Sequence, residues 1–372
     1  MLKLLKYAGT FIITACLLFA CQRAPIEFKR PPLKIPVGYF VGEYPGIIAQ
    51  EKGFFKAQGV DVELILHKRY IQLEQGNFSA GKYDGAMYSL GSFIILSATN
   101  PDIQCVMVVD ESTGADVVVA QSQIKTVADL KGKKLGANLG GFSEVFVTEM
   151  LKTANLTSDD VNLVKSAGQT HLKYKNPLIA RVLAFFNLAY FFIKILAQQG
   201  FQKSRAFALV KSEASEVPQR LENNTIQAGH TWEPHLSEAR KLGGHILFTS
   251  KQTPGLILDM IVFRGEIIRD RPEDVRAFVR GWLQAVNYWK ANVQEGNAII
   301  SKVLKIPSNT ISLEGVNLID LGENQKLLQS SSSNSIYKTA KIYTDFFIRS
   351  GNVTRIPELK TLFNSSFLKP PS

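Results

Sequence analysis

Cysteine and histidine are both scarce in this 372-residue chain, and their positions exclude two classes of protein. Three cysteines cannot form a disulfide scaffold, and Cys16, Cys21 and Cys105 lack the paired spacing of a zinc cluster. The histidines are scattered, and His230 and His235 do not have the i, i+4 spacing that places two imidazoles on one helix face. We therefore expect no metal site.

The chain also lacks the motifs of the common catalytic and nucleotide-binding sites. It contains no Gly-x-Ser-x-Gly elbow, no Walker loop and no Gly-x-Gly-x-x-Gly opening. We expect no catalytic residues, no cofactor and no enzymatic activity. Hydrophobic residues at 45% and charged residues at 20% exclude a disordered or fibrous protein, and the length is sufficient for two lobes, each with its own core.

Acidic residues are fewer than basic ones, and the net charge is +11. The excess is local: residues 161–212 contain eight Lys or Arg and no Asp or Glu, and with Lys3 and Lys6 they account for ten of the eleven charges. The rest of the chain is close to neutral. The high pI therefore does not indicate a nucleic-acid partner, and we expect none.

The first residues predict export. Lys3 and Lys6 precede an apolar run over residues 7–20, which is typical of a signal peptide. Residues 18–21, Leu-Phe-Ala-Cys, resemble a bacterial lipobox, in which the cysteine becomes the lipid-modified first residue of the mature chain. We expect Cys21 to carry this lipid and the body of the protein to lie outside the cytoplasmic membrane, in the periplasm or at the cell surface.

The N-terminal segment leaves alternatives open. Cys16 follows a rival box, Ile-Thr-Ala, and an unlipidated signal or a retained anchor also fits the pattern. We predict a signal peptide over residues 1–20 and a lipid-anchored tether over residues 21–33, whose prolines favour extended backbone.

Strand and helix patterns alternate through the rest of the chain. Apolar or alternating runs predict strands near residues 33–40, 60–66, 85–89, 103–109, 117–120, 160–164, 226–229 and 256–263. Helical periodicity fills most of the intervals between them. Strands that alternate with helices specify an α/β architecture with largely parallel sheets.

Five segments occur in an order that is characteristic of one family. They are residues 85–89, 112–120 (STGADVVVA), 126–134 (TVADLKGKK), 226–234 (IQAGHTWEP) and 257–259 (ILD). Together they resemble the solute-binding proteins of bacterial ABC importers, in the branch known for nitrate, aliphatic sulfonates, taurine and pyrimidine precursors of thiamine. The resemblance covers nearly all of residues 33–307.

The resemblance implies a two-lobed type II periplasmic-binding fold, in which each lobe is a mostly parallel sheet flanked by helices. We expect a discontinuous lobe 1 over residues 34–121 and 252–366 and a lobe 2 over residues 122–251. The chain would pass between lobes near residues 120–126 and 245–256. The resemblance further implies a monomer that closes on a small solute and then binds an ABC permease. An ATPase subunit supplies the energy for transport through that permease.

Candidate ligand-binding residues follow from the rule that open α/β sheets bind ligands beyond the carboxyl ends of their strands, where helix N-termini point. On this rule and on the resemblance we select fourteen residues: Tyr39, Glu43, Tyr44, Tyr88, Ser89, Ser112, Asp116, Gly140, Gly141, Phe142, Ser143, Trp232, Glu233 and Asp259.

Several of these residues also have a purely structural interpretation. Gly140 and Gly141 are equally consistent with a tight turn, Trp232 with a core position, and Glu233 with the start of a helix. Asp116 and Asp259 flank apolar strands, where a charge needs a cleft or a hydrogen-bond partner.

The chemistry of these loops favours one kind of solute. They contain four carboxylates and several aromatic rings but no Lys or Arg, which favours a heterocycle or an amine-bearing compound. The family itself favours a sulfonate, nitrate or taurine, so the solute stays open. Two other functions also stay open: a sensory receptor lobe of the same fold, and a relative of the pyrimidine-synthesising enzymes, whose cysteine-rich stretch is missing here.

One block does not fit the family. Residues 173–214 form a basic and apolar insertion in lobe 2, and residues 177–197 are apolar over about the length that spans a bilayer. A single span would separate two halves of one lobe, so we predict a helical insertion that docks on anionic lipid or on the membrane subunits of the importer. An accidental insertion without function is the alternative.

Overall fold

The computed structural model describes residues 30–67, 77–158, 162–164, 213–329, 331–332 and 335–369. The predicted signal peptide, the lipidation sites Cys16 and Cys21, and the insertion over residues 173–214 lie outside the described residues, apart from Glu213 and Ala214. The chain divides into two compact units, Met1–Pro32 and Leu33–Ser372. The architecture below is that of the second unit.

Eleven strands can be followed in the described part of the chain. They are β1 (Leu33–Val37), β2 (Val62–Leu66), β3 (Gly85–Ser89), β4 (Ile103–Ser112), β5 (Val117–Ala120), β6 (Lys134–Gly136), β7 (Asn162–Val164), β8 (Ala228–Thr231), β9 (His245–Thr249), β10 (Leu258–Arg264) and β11 (Val316–Leu318).

The described helices occupy most of the intervals between strands and the C-terminal part of the chain. They are α1 (Tyr44–Glu51), α2 (Phe54–Ala57), α3 (Leu90–Thr99), α4 (Phe142–Lys152), α5 (Val217–Glu222), α6 (His235–Lys241), α7 (Gly265–Asp270), α8 (Pro272–Ala291), α9 (Val293–Leu304), α10 (Leu321–Leu327), α11 (Ile336–Arg349) and α12 (Leu359–Leu362).

The first sheet has the strand order β11–β4–β10–β3, and the parallel pair β1–β2 lies beside it. The backbone N–H of Asp84, just before β3, donates to the carbonyl of Lys34 in β1 at 3.0 Å. The second sheet has the order β7–β6–β8–β5–β9. The structure thus has the two-sheet α/β fold that the sequence predicts.

The direction of the strands corrects the prediction of mostly parallel sheets. Strand β10 runs antiparallel to both β3 and β4, and β5 runs antiparallel to both β8 and β9. Each of these two strands enters its sheet directly after the chain has passed over from the other sheet, so it enters in the opposite direction. Strand β11 is also antiparallel to β4, so every pairing within these four strands of the first sheet is antiparallel, whereas the second sheet is mixed.

The pairing of β5 also moves one passage between the sheets. Because β4 ends at Ser112 in the first sheet and β5 starts at Val117 in the second, the chain passes over within residues 113–116 and not within residues 120–126. The return passage lies between β9 and β10, close to the predicted residues 245–256. The remaining lobe boundaries stay a prediction.

Large buried side chains from the helices cover the first sheet. The long helix α8 buries Trp282 and Trp289, and the ring of Phe278 stacks on Phe55 of α2 with 5.0 Å between centroids. Each buried side chain of this size stabilises the fold by roughly 1.5–3 kcal/mol through apolar burial. Among the residues that the structure describes, no helix combines the length and apolar character needed to cross a membrane.

Candidate ligand-binding site at the passages between the sheets

A pair of serines fastens the two passages together. The hydroxyls of Ser112 and Ser250 lie 2.8 Å apart, and both residues are buried. The Ser250 oxygen also accepts from the backbone N–H of Gly114 at 2.7 Å, and the Ser112 oxygen accepts from that of Asp116 at 3.0 Å. Ser112, predicted as a ligand contact, is therefore part of the connection between the sheets.

A row of polar residues crosses the first sheet next to these passages. Asp259 of β10 lies directly opposite Ser89 of β3 on one side and Asp110 of β4 on the other. The pairing shifts by one residue between Asp259 and Met260, which leaves Val109 as a bulge beside Asp110. Bulges of this kind re-aim a side chain and are common beside binding sites.

Asp110 is the most buried acid of this row. Its side chain is 1% exposed, and its Oδ2 has no hydrogen-bond partner among the described residues. The carboxylate lies against Gly42, where an added Cβ would come within 1.8 Å of Oδ2. Gly42 therefore provides the space that this carboxylate occupies.

Burial and mutual repulsion hold protons on these acids. Burial raises the pKa of Asp259 to about 8, with further contributions from the charges of Asp116 and Glu43. Burial also raises the pKa of Asp110 well above its usual range, and the charges of Asp259, Asp116, Glu43 and Glu111 add to that rise. At neutral pH the Asp110–Asp259 pair therefore retains protons in place of two full charges.

A chain of hydrogen bonds connects a passage to the second sheet. His230 of β8 is 1% exposed, and its Nε2 lies 2.9 Å from Oδ1 of Asp116. Its Nδ1 lies 2.7 Å from Oγ of Ser143, in the first turn of α4. Ser143 also accepts from the backbone N–H of Asn138 at 3.1 Å. Because the Asp116 carboxylate is an acceptor, Nε2 of His230 donates to it, which leaves Nδ1 of the neutral imidazole to accept from the Ser143 hydroxyl.

Aromatic rings surround His230. The centroids of Phe142, Phe146 and Trp232 lie 5.8, 4.9 and 5.4 Å from its ring, and Phe142 lies 6.1 Å from Trp232. Of the three, Phe142 and Trp232 are partly exposed, whereas Phe146 is buried. These two rings provide a surface on which a planar solute can stack.

Helix α4 approaches the first sheet at a glycine. A Cβ added at Gly91, in the first turn of α3, would come within 3.0 Å of Cβ of Phe142 and 2.9 Å of a ring carbon of Tyr343. Phe142 therefore lies where elements of the two sheets meet, next to the row of acids on the first sheet.

The structure places other predicted residues in supporting roles. Tyr44 is 6% exposed and packs on Trp289 with 6.2 Å between centroids, and burial raises its pKa to about 12. The hydroxyl of Tyr39 donates to the carbonyl of Leu304 at 3.3 Å. Tyr88 is buried with its ring against Phe78.

The backbone amide of Gly140, in the turn before α4, already has a partner. The N–H of Gly140 donates to the carboxylate of Glu144 at 2.6 Å, and Gly140 has a φ of +83°, which favours glycine. Gly141 is the residue before α4. Both glycines therefore form the tight turn that was the structural alternative.

Glu233 and Ser89 both act at helix starts. The carboxylate of Glu233 is exposed and accepts from the N–H and the hydroxyl of Ser237 in α6, at 3.2 and 2.9 Å. The Ser89 oxygen accepts from the N–H of Ser92 at the start of α3. Glu43 accepts from the N–H of Gly38, which fixes the loop that carries it.

Sequence reasoning missed Asp110, His230 and Ser250. Asp110 ends the apolar run 105–109, and a carboxylate in that position is a signal that could have been used. In the sequence His230 stands out only as a possible metal ligand, and its spacing to His235 does not suit that role. Within the described residues no group of three His, Cys, Asp or Glu side chains could hold a metal ion.

Residues 43–186 match the sequence model of the family described as NMT1/THI5 like. A Haemophilus influenzae protein, provisionally named a thiamine biosynthesis protein, is 32% identical over 141 residues, which are 37% of this chain and 45% of that relative. A Brucella abortus protein, provisionally named a binding protein, is 23% identical over 334 residues, which are 86% of this chain and 87% of the relative. The chain thus spans less than half of the first relative and most of the second.

Solved structures share the fold over almost the whole chain. The periplasmic aliphatic sulphonate binding protein of Escherichia coli has a TM-score of 0.65 and 14% identity, covering 92% of this chain and 96% of that one. A desulfurization enzyme, DszB, has a TM-score of 0.56 and 13% identity, covering 91% and 98%. These comparisons confirm the resemblance seen in the sequence: the chain has the periplasmic-binding-protein fold and matches the NMT1/THI5 like family.

Proposed function

We propose that this protein is the extracytoplasmic solute receptor of an ABC importer, which captures a small solute by closing two lobes and delivers it to a permease. The name of the Brucella relative and the fold of the sulphonate-binding protein support a binding role. The energy for transport is supplied by a partner ATPase, and no bond of the solute is broken.

One observation carries the proposal. In the described part of the chain the backbone passes between the two sheets twice. The two passages are joined at Ser112 and Ser250, and buried polar groups lie beside them. Two bodies joined only by short passages can rotate by changes at a few backbone positions, as in hinge closure around a ligand. Asp116 belongs to one passage and bonds His230 on the second sheet, so the passage and the site share a residue.

Small-angle scattering with and without bound solute tests this proposal. We first screen by thermal shift against sulfonates, nitrate, taurine, pyrimidines, flavins and polyamines, because a cleft ligand stabilises the folded state by mass action. A solute that binds is expected to reduce the radius of gyration. An unchanged radius at saturating solute would contradict closure.

Catalysis on the same fold is the second candidate, and the Ser143–His230–Asp116 chain favours it because a nucleophile, a base and an acid follow one another. However, Ser143 and His230 are each 1% exposed, so a substrate bond cannot reach the hydroxyl. We propose that the chain of bonds positions α4. Mass spectrometry of solute recovered after incubation should show it chemically unchanged; a converted product would favour the enzyme.

The membrane anchor remains a proposal from the sequence. Replacing Cys21 by Ser should abolish incorporation of a labelled fatty acid and release the protein from membranes, whereas Cys16→Ser should leave labelling intact. The reverse result would move the lipid to Cys16.

Docking of residues 177–197 on the membrane or the permease is likewise a prediction from the sequence. It can be tested with a chain that lacks residues 173–214 in the Cys21→Ser background. Unchanged membrane retention after the deletion would contradict docking and favour an insertion without function.

A further inference from the structure

The row Ser89–Asp259–Asp110 has an unusual feature for a sheet. Residues directly opposite each other on adjacent strands have their side chains on the same face, roughly 5 Å apart, and like charges in such positions repel. Asp110 and Asp259 occupy opposite positions on β4 and β10. A fold that places two carboxyls side by side inside a protein is destabilised unless something compensates the repulsion.

The groups that face this pair do not compensate it. Asp116 comes from the passage, Glu43 from the loop before α1, and Glu111 from the end of β4, and the charge of each raises the pKa of Asp110. From α11, the buried hydroxyl of Tyr343 donates to the carbonyl of Leu256 at 3.1 Å. Strand β11 contributes the apolar Leu318 opposite Asp110. No cation of the described residues faces the pair.

Two kinds of ligand, a metal ion and an anion, fit poorly beside Asp110 and Asp259. The described acids do not form a group that could hold a metal ion. An anion would add a further negative charge next to four carboxyl groups, and the nearby turn amide of Gly140 is already donated to Glu144.

A positively charged N–H donor fits all of these observations. Oδ2 of Asp110 is buried and lacks a hydrogen-bond partner in the described part of the chain, so it is an acceptor without a donor. Neighbouring carboxylates on adjacent strands can accept from two N–H groups of one planar cation, as in an amidinium. Phe142 lies against Gly91, two residues after Ser89 of this row, and its ring together with that of Trp232 offers aromatic faces to a planar cation bound beside the row.

We infer that Asp110 and Asp259 form the anchor for an organic cation, a solute with an amidine-like or amine nitrogen on a planar group. The inference rests on the proposed receptor function and specifies its solute. The bulge at Val109 directs Asp110 to the same face as Asp259, and Gly42 leaves the space for its carboxylate.

The test compares two probes of similar shape and opposite charge. Benzamidine and benzenesulfonate are titrated into the full mature chain by calorimetry at pH 8, together with benzylamine, putrescine and 4-aminopyridine as further amine-bearing probes. Benzamidine is expected to bind at least tenfold more tightly than benzenesulfonate. Asp259→Asn and Asp110→Asn are each expected to weaken benzamidine binding at least tenfold. Each replaces a carboxyl, which gives up its proton to solvent when it accepts from the cation, with an amide that stays uncharged.

A matched control separates the anchor from a general loss of negative charge. Asp345 of α11 is exposed and ion-paired with Lys341, so Asp345→Asn changes the net charge equally and should leave benzamidine binding unchanged. Circular dichroism and the unfolding midpoint verify that each variant folds. Should Asp110→Asn fail to fold, Asp259→Asn alone decides, since Asp259 is only partly buried.

Three results would overturn the inference: tighter binding of benzenesulfonate than of benzamidine, equal benzamidine binding by Asp259→Asn and the natural chain, or no binding of any amine-bearing probe. The inference and the receptor function fail differently. Closure around a sulfonate in scattering would contradict the cation anchor and leave the receptor function intact.

Discussion

Ser112 and Ser250 share a 2.8 Å contact between hydroxyls and thereby join the two passages of the chain between its sheets. Both serines are buried, and Ser250 also satisfies the N–H of Gly114. The two passages are therefore tied to each other at one buried contact.

Replacing Ser250 by Ala should therefore destabilise the protein. The substitution leaves the partly buried N–H of Gly114 and the buried hydroxyl of Ser112 without a shared partner, at a cost of about 1–3 kcal/mol. Urea unfolding measures this loss. The double variant with Ser112→Ala should lose less than the sum of the two single variants, because both remove the same contact. The control is Ser366→Ala at an exposed serine. If Ser250→Ala were as stable as Ser366→Ala, the contact between Ser112 and Ser250 would not stabilise the fold.

His230 supports a second prediction, because its two ring nitrogens bond different elements. Asn at this position can keep a polar atom near Ser143, and Gln can keep one near Asp116, but Phe keeps only the ring volume. We expect His230→Phe to cost at least about 2 kcal/mol, since a buried hydroxyl and a buried carboxylate lose their partner.

Hydrogen exchange distinguishes positioning of α4 from general packing at His230. Exchange of the amides in residues 138–143 should accelerate more in His230→Gln than in His230→Asn, because only Asn retains the bond to Ser143. Equal exchange in the two variants would show that the bond to Ser143 does not hold this turn.

The sequence predicted the strands and helices better than it predicted the contacts between them. Apolar runs such as residues 105–109 and 117–120 are buried strands because no polar residue interrupts them. The opposition of Asp110 and Asp259 depends on strand register, which is set by pairing over a long separation and carries no local signal. For the same reason the antiparallel direction of β10 could not be predicted from its composition.

In the candidate site, too, the sequence indicated the positions of residues better than their contacts. Asp116, Asp259, Phe142 and Ser143 were selected from the sequence because they follow strands or begin a helix, and the structure brings them near His230 or Asp110. Glu233 was selected by the same rule, yet its carboxylate is taken up by Ser237. Position after a strand thus indicates the right edge of the sheet but not which side chains meet there.

Gly42 gives a third prediction, which concerns space for a carboxylate. In Gly42→Ala the new methyl would come within 1.8 Å of Oδ2 of Asp110 and within 2.7 Å of a ring carbon of Phe40, so these side chains must turn away or the loop must move. We expect a loss of about 1–3 kcal/mol in unfolding free energy, as for other overpacked sites. Gly141→Ala is the matched control, because the nearest atom to its Cβ is 3.9 Å away.

A double variant identifies the cause of the Gly42→Ala effect. Adding Asp110→Ala removes the colliding carboxylate, so the two substitutions together should be less harmful than their sum. Additive losses would indicate that the methyl acts through the Phe40 ring or the loop backbone and not through Asp110.

The raised pKa of Asp259 gives the last prediction, which concerns stability and pH without any ligand. In the folded protein this carboxyl keeps its proton up to about pH 8, whereas in the unfolded chain it loses the proton near its ordinary pKa of about 4. Between these values the folded state binds more protons, so the contribution of Asp259 to stability falls as the pH rises from about 4 to 8 and then levels off.

The variant Asp259→Asn lacks this titrating group, so its stability should fall less than that of the natural chain between about pH 4 and pH 8, with the remaining slope due to Asp110. The unfolding midpoint of Asp259→Asn should therefore exceed that of the natural chain by several degrees at pH 8 and by little at pH 5, whereas the exposed Asp345→Asn should show no such divergence. Parallel midpoints for Asp259→Asn and the natural chain across this range would show that Asp259 is already ionised in the folded protein.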